Sequence, residues 1–161
     1  AFLRAAKAAD LPAMKLLLEH GADPLLAPTR SGITPLMAAA GLGTNEEDTT
    51  GRQKTQAQAI EAIQLLLDRG IDINAQASDG QTAVHGAAML GYDDVIRFLA
   101  AKGAKLDTPD KDGFTPVDVA LGKAGGFGFS GREGVVREGT AAVLRELLGA
   151  GAASNATAAA R

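Results

Sequence analysis

"SGITPLMAAAGLG" at residues 31–43 returns as "DGQTAVHGAAMLG" at 79–91 and as "DGFTPVDVALGKA" at 112–124. One phrase met three times in 161 residues means a repeated structural unit, because self-similarity at a fixed period marks stacked supersecondary elements. In each copy a threonine precedes a run of small apolar residues: Thr34, Thr82 and Thr115. Threonine there predicts a helix start, since its hydroxyl can take one of the first, unpaired helical amides. Pro35 and Pro116 fall at the first helical position, where no amide donor is needed.

A second phrase follows the first. "AMKLLLEHGAD" (13–23), "AIQLLLDRGID" (62–72), "VIRFLAAKGAK" (95–105) and "VLRELLGAGAA" (143–153) carry apolar residues at helical spacing and then a glycine. Leu16 and Leu17, with His20 outside, and Ile63, Leu66 and Leu67 are read as the packing faces. Gly21, Gly70, Gly103 and Gly151 are read as the stops, placed where a left-handed residue closes a helix. Thr82 to Thr115 spans 33 residues, as does Gly70 to Gly103. A helical pair of this kind cannot bury its apolar face alone, so stacking must supply the core.

The pairing resembles the ankyrin repeat, whose T-P-L-H-x-A signature is followed by a second helix and a glycine. The resemblance covers about residues 1–151. It implies an all-α solenoid of four repeats, at 1–28, 29–76, 77–109 and 110–151, with an Ala-rich tail at 152–161. Aligning Gly21 with its counterparts places Ala1 where Pro35 stands, so an upstream continuation is expected, with Phe2 facing solvent. Cytoplasmic and exported locations both stay open.

Two repeats are too long. Thr34 to Gly70 and Thr115 to Gly151 each span 36 residues, against 21 from Thr82 to Gly103. The 15 extra residues fall between the two helices, at "TNEEDTTGRQKTQAQ" (44–58) and "GGFGFSGREGVVREG" (125–139). Gln56, Ala57, Ile60 and Ile63 continue a helical pattern, so the end of the first insertion should lengthen the next helix. The second, with six glycines and Phe127 and Phe129 at strand-like spacing, reads as a loop or small hairpin. Such insertions resemble those of a set of bacterial ankyrin-repeat proteins.

Composition excludes several classes. A hydrophobic share of 46% beside 22% charged residues describes a globular chain. A formal charge of −3 and a pI near 5.3 speak against a nucleic-acid binder, which would show a basic face. The absence of cysteine excludes disulfides and thiolate chemistry. No apolar run approaches the roughly 20 residues of a membrane helix.

Chemical motifs are weak. His85 occupies the His of the ankyrin signature, which in the family orders the adjacent turn through backbone hydrogen bonds. The matching positions are Met37 and Asp118, which cannot share a metal with it. Gly126, Gly128 and Gly131 spell G-x-G-x-x-G, but a phosphate loop needs a strand before it and a helix behind it. Glu46, Glu47 and Asp48 lack the alternation of a calcium loop. Asp93 and Asp94 are read as capping a helix. Asn155-Ala156-Thr157 is a sequon in the tail. Catalysis, metal and cofactor are therefore not expected.

The resemblance implies a non-catalytic protein-interaction module, monomeric, binding another protein on the concave face of the turns and first helices. Carried over position by position, the turn tips are Arg30 with Ser31, Ser78 with Asp79, and Lys111 with Asp112. Ile33, Gln81 and Phe114 stand in a row before the threonines, and Leu42, Met89, Leu90 and Lys123 point outward from the first helices. Apolar residues in line, rimmed by charge, fit a binding patch. An alternative is a small-ligand or peptide groove between the insertions. Helix layers lie roughly 8–10 Å apart, so the insertions would wall a floor at Tyr92, with Phe127, Phe129, Arg132 and Arg137 to one side. A regulatory segment of a larger enzyme is a third reading.

Overall fold

The computed structural model describes residues 1–25, 30–43, 54–123 and 135–159, with side chains to 150 in the last stretch. Eight helices and no strand occur among them: α1 (Phe2–Ala8), α2 (Leu11–Glu19), α3 (Pro35–Ala40), α4 (Gln56–Leu67), α5 (Ala83–Leu90), α6 (Asp93–Ala101), α7 (Pro116–Ala120) and α8 (Glu138–Ala159). They pair as α1–α2, α3–α4, α5–α6 and α7–α8. The odd-numbered helices stack in one layer and the even-numbered in another. The core is the seam between the layers.

Its composition explains the close stacking. Ala6, Ala39, Ala40, Ala87, Ala88 and Ala120 line the odd-numbered layer, and side chains this small let helix backbones approach. The even-numbered layer contributes one large residue per pair at a fixed register, seven residues before the expected stop glycine: Met14, Ile63, Ile96 and Leu144, all fully buried. Thr34 and Thr115 cap α3 and α7 through their side chains, with Pro35 and Pro116 inside the first turn as expected. Gly21, Gly70 and Gly103 have the positive φ of helix stops. The helix after the first insertion is lengthened as expected: Thr55 and Gln58 form a capping box that starts α4 at Gln56.

Four local expectations are corrected. Helix α8 runs through Gly151 to Ala159, because the Ala-rich sequence beyond the glycine is strongly helix-forming. Phe2 is buried rather than facing solvent, since α1 packs on α3 and turns that ring into the core. Leu16 is 56% exposed, because Met14 and the half-buried Leu17 and Leu18 form the inward face of α2. Asp93 and Asp94 lie inside the first turn of α6, one residue too late to be its N-cap, which is Tyr92. The Asp94 amide is satisfied from outside the pair, by Gln56 Oε1 at 2.8 Å.

The pairs with insertions differ in one further way. α5 continues for eight residues past Thr82, whereas α3 and α7 stop after six and five, at a left-handed Gly41 and just before a left-handed Gly122. Met89 occupies the matching place in α5. The chain thus leaves the odd-numbered layer early where a long connection follows.

Candidate functional site

The turns before α5 and α7 close on themselves through Ala77 N–H to the Gln81 carbonyl (2.8 Å) and Asp110 N–H to the Phe114 carbonyl (2.9 Å). They are also laced to one another. Ser78 N–H donates to the Ser31 carbonyl at 2.8 Å, and Lys111 N–H to the Asp79 carbonyl at 2.9 Å. Gly32 and Gly80 make this approach possible: at positive φ, a Cβ on them would lie 2.9 Å from Ser78 N and 2.8 Å from Lys111 N. Carboxylates brace the turns internally, Asp79 accepting from Gln81 N–H and Asp110 from Asp112 and Phe114 N–H.

His85 joins this framework. Its Nδ1 receives both the amide and the hydroxyl of Thr82 (3.1 and 3.0 Å), and so must be the unprotonated nitrogen. Nε2–H then donates to the Phe114 carbonyl at 3.2 Å, tying α5 to the next turn. Burial pushes its pKa below the usual 6.5, with the Phe114 hydrogen bond, Asp110 and Asp79 opposing only in part. Among the described residues the fully buried ring hydrogen-bonds to Thr82 and to the Phe114 carbonyl, which joins it to the framework of the turns. Met37 Sδ and Asp118 Oδ2 do the Nδ1 task in the flanking pairs, accepting from Thr34 and Thr115 amides at 3.4 and 3.1 Å. Thr115 holds the Asp118 carboxyl below the usual carboxylate range. Three unlike side chains therefore close the same box.

The sequence-derived surface residues divide. Arg30, Ser78, Lys111 and Lys123 are exposed, and Asp79, Ile33, Met89, Leu90 and Phe114 are partly exposed. Gln81 and Leu42, expected to point outward, are each only 3% exposed. Leu42 follows the left-handed Gly41, which turns the chain inward so that its backbone lies against Gly86. Gln81 is enclosed between neighbouring turns, its Nε2 without a protein partner among the described residues. Among those residues no group of His, Cys, Asp or Glu could hold a metal ion, and no helix is long and apolar enough to cross a membrane.

Comparison with known proteins bears on this geometry. The family of ankyrin repeats (3 copies) matches residues 54–127. The chain is an ankyrin-repeat protein. Ankyrin repeats generally mediate protein–protein interaction and are generally non-catalytic. Relatives include the cortactin-binding protein 2 of Rattus norvegicus, 36% identical over 62% of this chain and 6% of that protein. The ankyrin repeat domain-containing protein 37 of Xenopus tropicalis is 35% identical over 56% of this chain and 58% of its own length. Serine/threonine-protein kinase 12 of Arabidopsis thaliana is 44% identical over 38% of this chain and 14% of the kinase. The ankyrin array thus spans less than two thirds of each of these relatives.

Of the residues assigned to a groove between the insertions, Phe127, Phe129 and Arg132 lie outside the described residues, as do the expected hairpin and the Glu46–Asp48 cluster. Tyr92 is half-buried and donates its hydroxyl to the Lys54 carbonyl at 3.0 Å. Arg137 lies across Gly91, where a Cβ would sit 2.8 Å from its Cδ.

Lys54 is the functional-looking residue that sequence reading passed over. It is 9% exposed, and its ammonium donates to the carbonyls of Lys7 (2.9 Å) and Ala38 (2.8 Å). Burial, with help from the Lys7 charge, pulls its pKa from 10.5 to about 8. Nothing in "RQKTQ" separates it from a solvated lysine.

Proposed function

We propose that this ankyrin array captures another protein, without catalysis, on the row formed by Ile33, Phe114, Met89 and Leu90. Arg30, Ser78, Asp79, Lys111 and Lys123 rim the row with polar and charged groups. One observation carries the reading: four apolar side chains stay partly exposed, Ile33 and Phe114 beside turns laced to each other by backbone hydrogen bonds and Met89 and Leu90 at the end of α5. A surface fixed in this way pays little ordering cost on association, and aromatic side chains such as Phe114 are enriched in the buried core of interfaces. Leu42 and Gln81 contribute from beneath, by supporting the row.

The test compares capture from an extract of the source cells by the wild type, by Phe114→Asp with Met89→Asp, and by Tyr92→Ala. The double variant should lose the captured protein, with affinity down about a hundred-fold or more for two anchors of the row, while Tyr92→Ala keeps it. The reverse pattern would move the site to the groove between the insertions. The kinase among the relatives keeps the reading of a regulatory segment within a larger protein consistent with the same surface.

A further inference from the structure

Both long connections come back to the fold in the same manner. The first returns with Lys54, whose ammonium meets Ala38 O in the last turn of α3 and reaches back to Lys7 O in the last turn of α1, one pair earlier. The second returns with Arg137, whose amide bonds to Ala120 O at the end of α7 at 2.7 Å. Its side chain reaches back to Gly91 at the end of α5, again one pair earlier. A cation suits these places, because the carboxyl ends of two parallel helices present partial negative charge side by side. The amides after α1 turn back to Ala6, Ala5 and Ala9, and Lys54 takes the Lys7 carbonyl. The same short stretch also holds the third pair, through Tyr92 O–H to Lys54 O and Asp94 N–H to Gln56 Oε1. Residues 54–56 therefore touch three consecutive pairs.

We propose that Lys54 is a pH-sensitive latch on the stacking of the first helical pair, so that proton uptake by its amine favours release of α1 and α2 from α3. The physical basis is a conflict within the seat. The carbonyls of Lys7 and Ala38 attract an ammonium, yet the seat is largely shielded from water and no carboxylate meets Lys54 among the described residues. Titratable groups on the surrounding elements do not resolve the conflict. α1 brings Arg4 and Lys7, of like charge, and the amino group of Ala1; α3 brings none; the third pair brings the neutral Tyr92 phenol. With a closed-state pKa of about 8 and 10.5 when open, the open form binds more protons between these limits, so the closed form gains as pH rises through that window.

Amide hydrogen exchange of the intact chain, corrected for intrinsic rates, tests this. From pH 7 to pH 9 the opening of α1 and α2 should fall about ten-fold, as the linkage relation gives for those two values, while α6 stays level. Lys54→Met should remove the pH dependence, whichever way it moves the basal opening. Ala1 is retained in that variant, so its amine cannot produce the difference. Should Lys54→Met not fold, Lys54→Arg, which keeps a cation that does not titrate in this window, takes its place and should likewise show no pH dependence. Equal profiles for α1 and α6, or a pH dependence surviving in Lys54→Met, would overturn the latch. Neither result bears on capture at Phe114, so the two proposals fail separately.

Discussion

A methyl group added to Gly86 would collide with the Leu42 amide nitrogen and lie 3.0 Å from Leu42 Cα. Glycine inside a helix ordinarily costs about 1 kcal/mol relative to alanine, so Gly86→Ala would stabilise an isolated α5. Here the obstacle is backbone, which cannot swing aside, and overpacking of this sort costs about 1–3 kcal/mol. Chemical denaturation should accordingly show Gly86→Ala less stable than wild type. Ala9 is the opposite case. It closes α1 at φ 51, the one non-glycine residue with positive φ among those described, at the place where α5 has Gly91. A left-handed alanine is strained by about 1–2 kcal/mol, offset partly by the greater unfolded freedom of glycine. Ala9→Gly should raise stability by up to about 1 kcal/mol, read from the same denaturation midpoint.

At the scale of the element, one helix start is written three ways. Met37, His85 and Asp118 all return an acceptor to the threonine amide, so the box tolerates a thioether, an imidazole or a carboxylate. Of the three, His85 uses its second polar atom to reach the next pair, where α5 meets the Phe114 carbonyl, whereas the other Asp118 oxygen faces Lys123 on its own pair. That added bond carries a pH signature. Because burial lowers the folded pKa of His85 below 6.5, the unfolded chain takes up the proton first as the solution is acidified. The stability contributed by the neutral ring is whole above pH 6.5 and is lost as pH falls from there through the folded value. Denaturation between pH 7.5 and 5 should show wild type losing stability, and His85→Gln should flatten that slope. A slope unchanged by the substitution would mean another group titrates.

For the whole molecule, each pair is supported by its neighbours alone, and stability is a sum of such interfaces. Phe114→Asp and Met89→Asp should leave the denaturation midpoint within about 1 kcal/mol of wild type, as partly exposed positions do, and act on partner capture. A collapse of the fold instead would make those residues part of the stack. The sequence by itself determined the period, the helix starts at Thr34, Thr82 and Thr115, and the stops at Gly21, Gly70 and Gly103. The starts and stops depend on residues within one or two turns of each other: a hydroxyl beside its own helix amides, or a glycine at its own left-handed turn. Only the tertiary structure decided that Phe2, Leu42, Gln81 and Lys54 are covered, that Leu16 is not, and that α8 outruns Gly151. Apart from α8, each of those outcomes is settled by a neighbour distant in the chain. Lys54 meets Lys7 across 47 residues and, through its carbonyl, Tyr92 across 38, and no local pattern records which carbonyl a long connection will find when it returns.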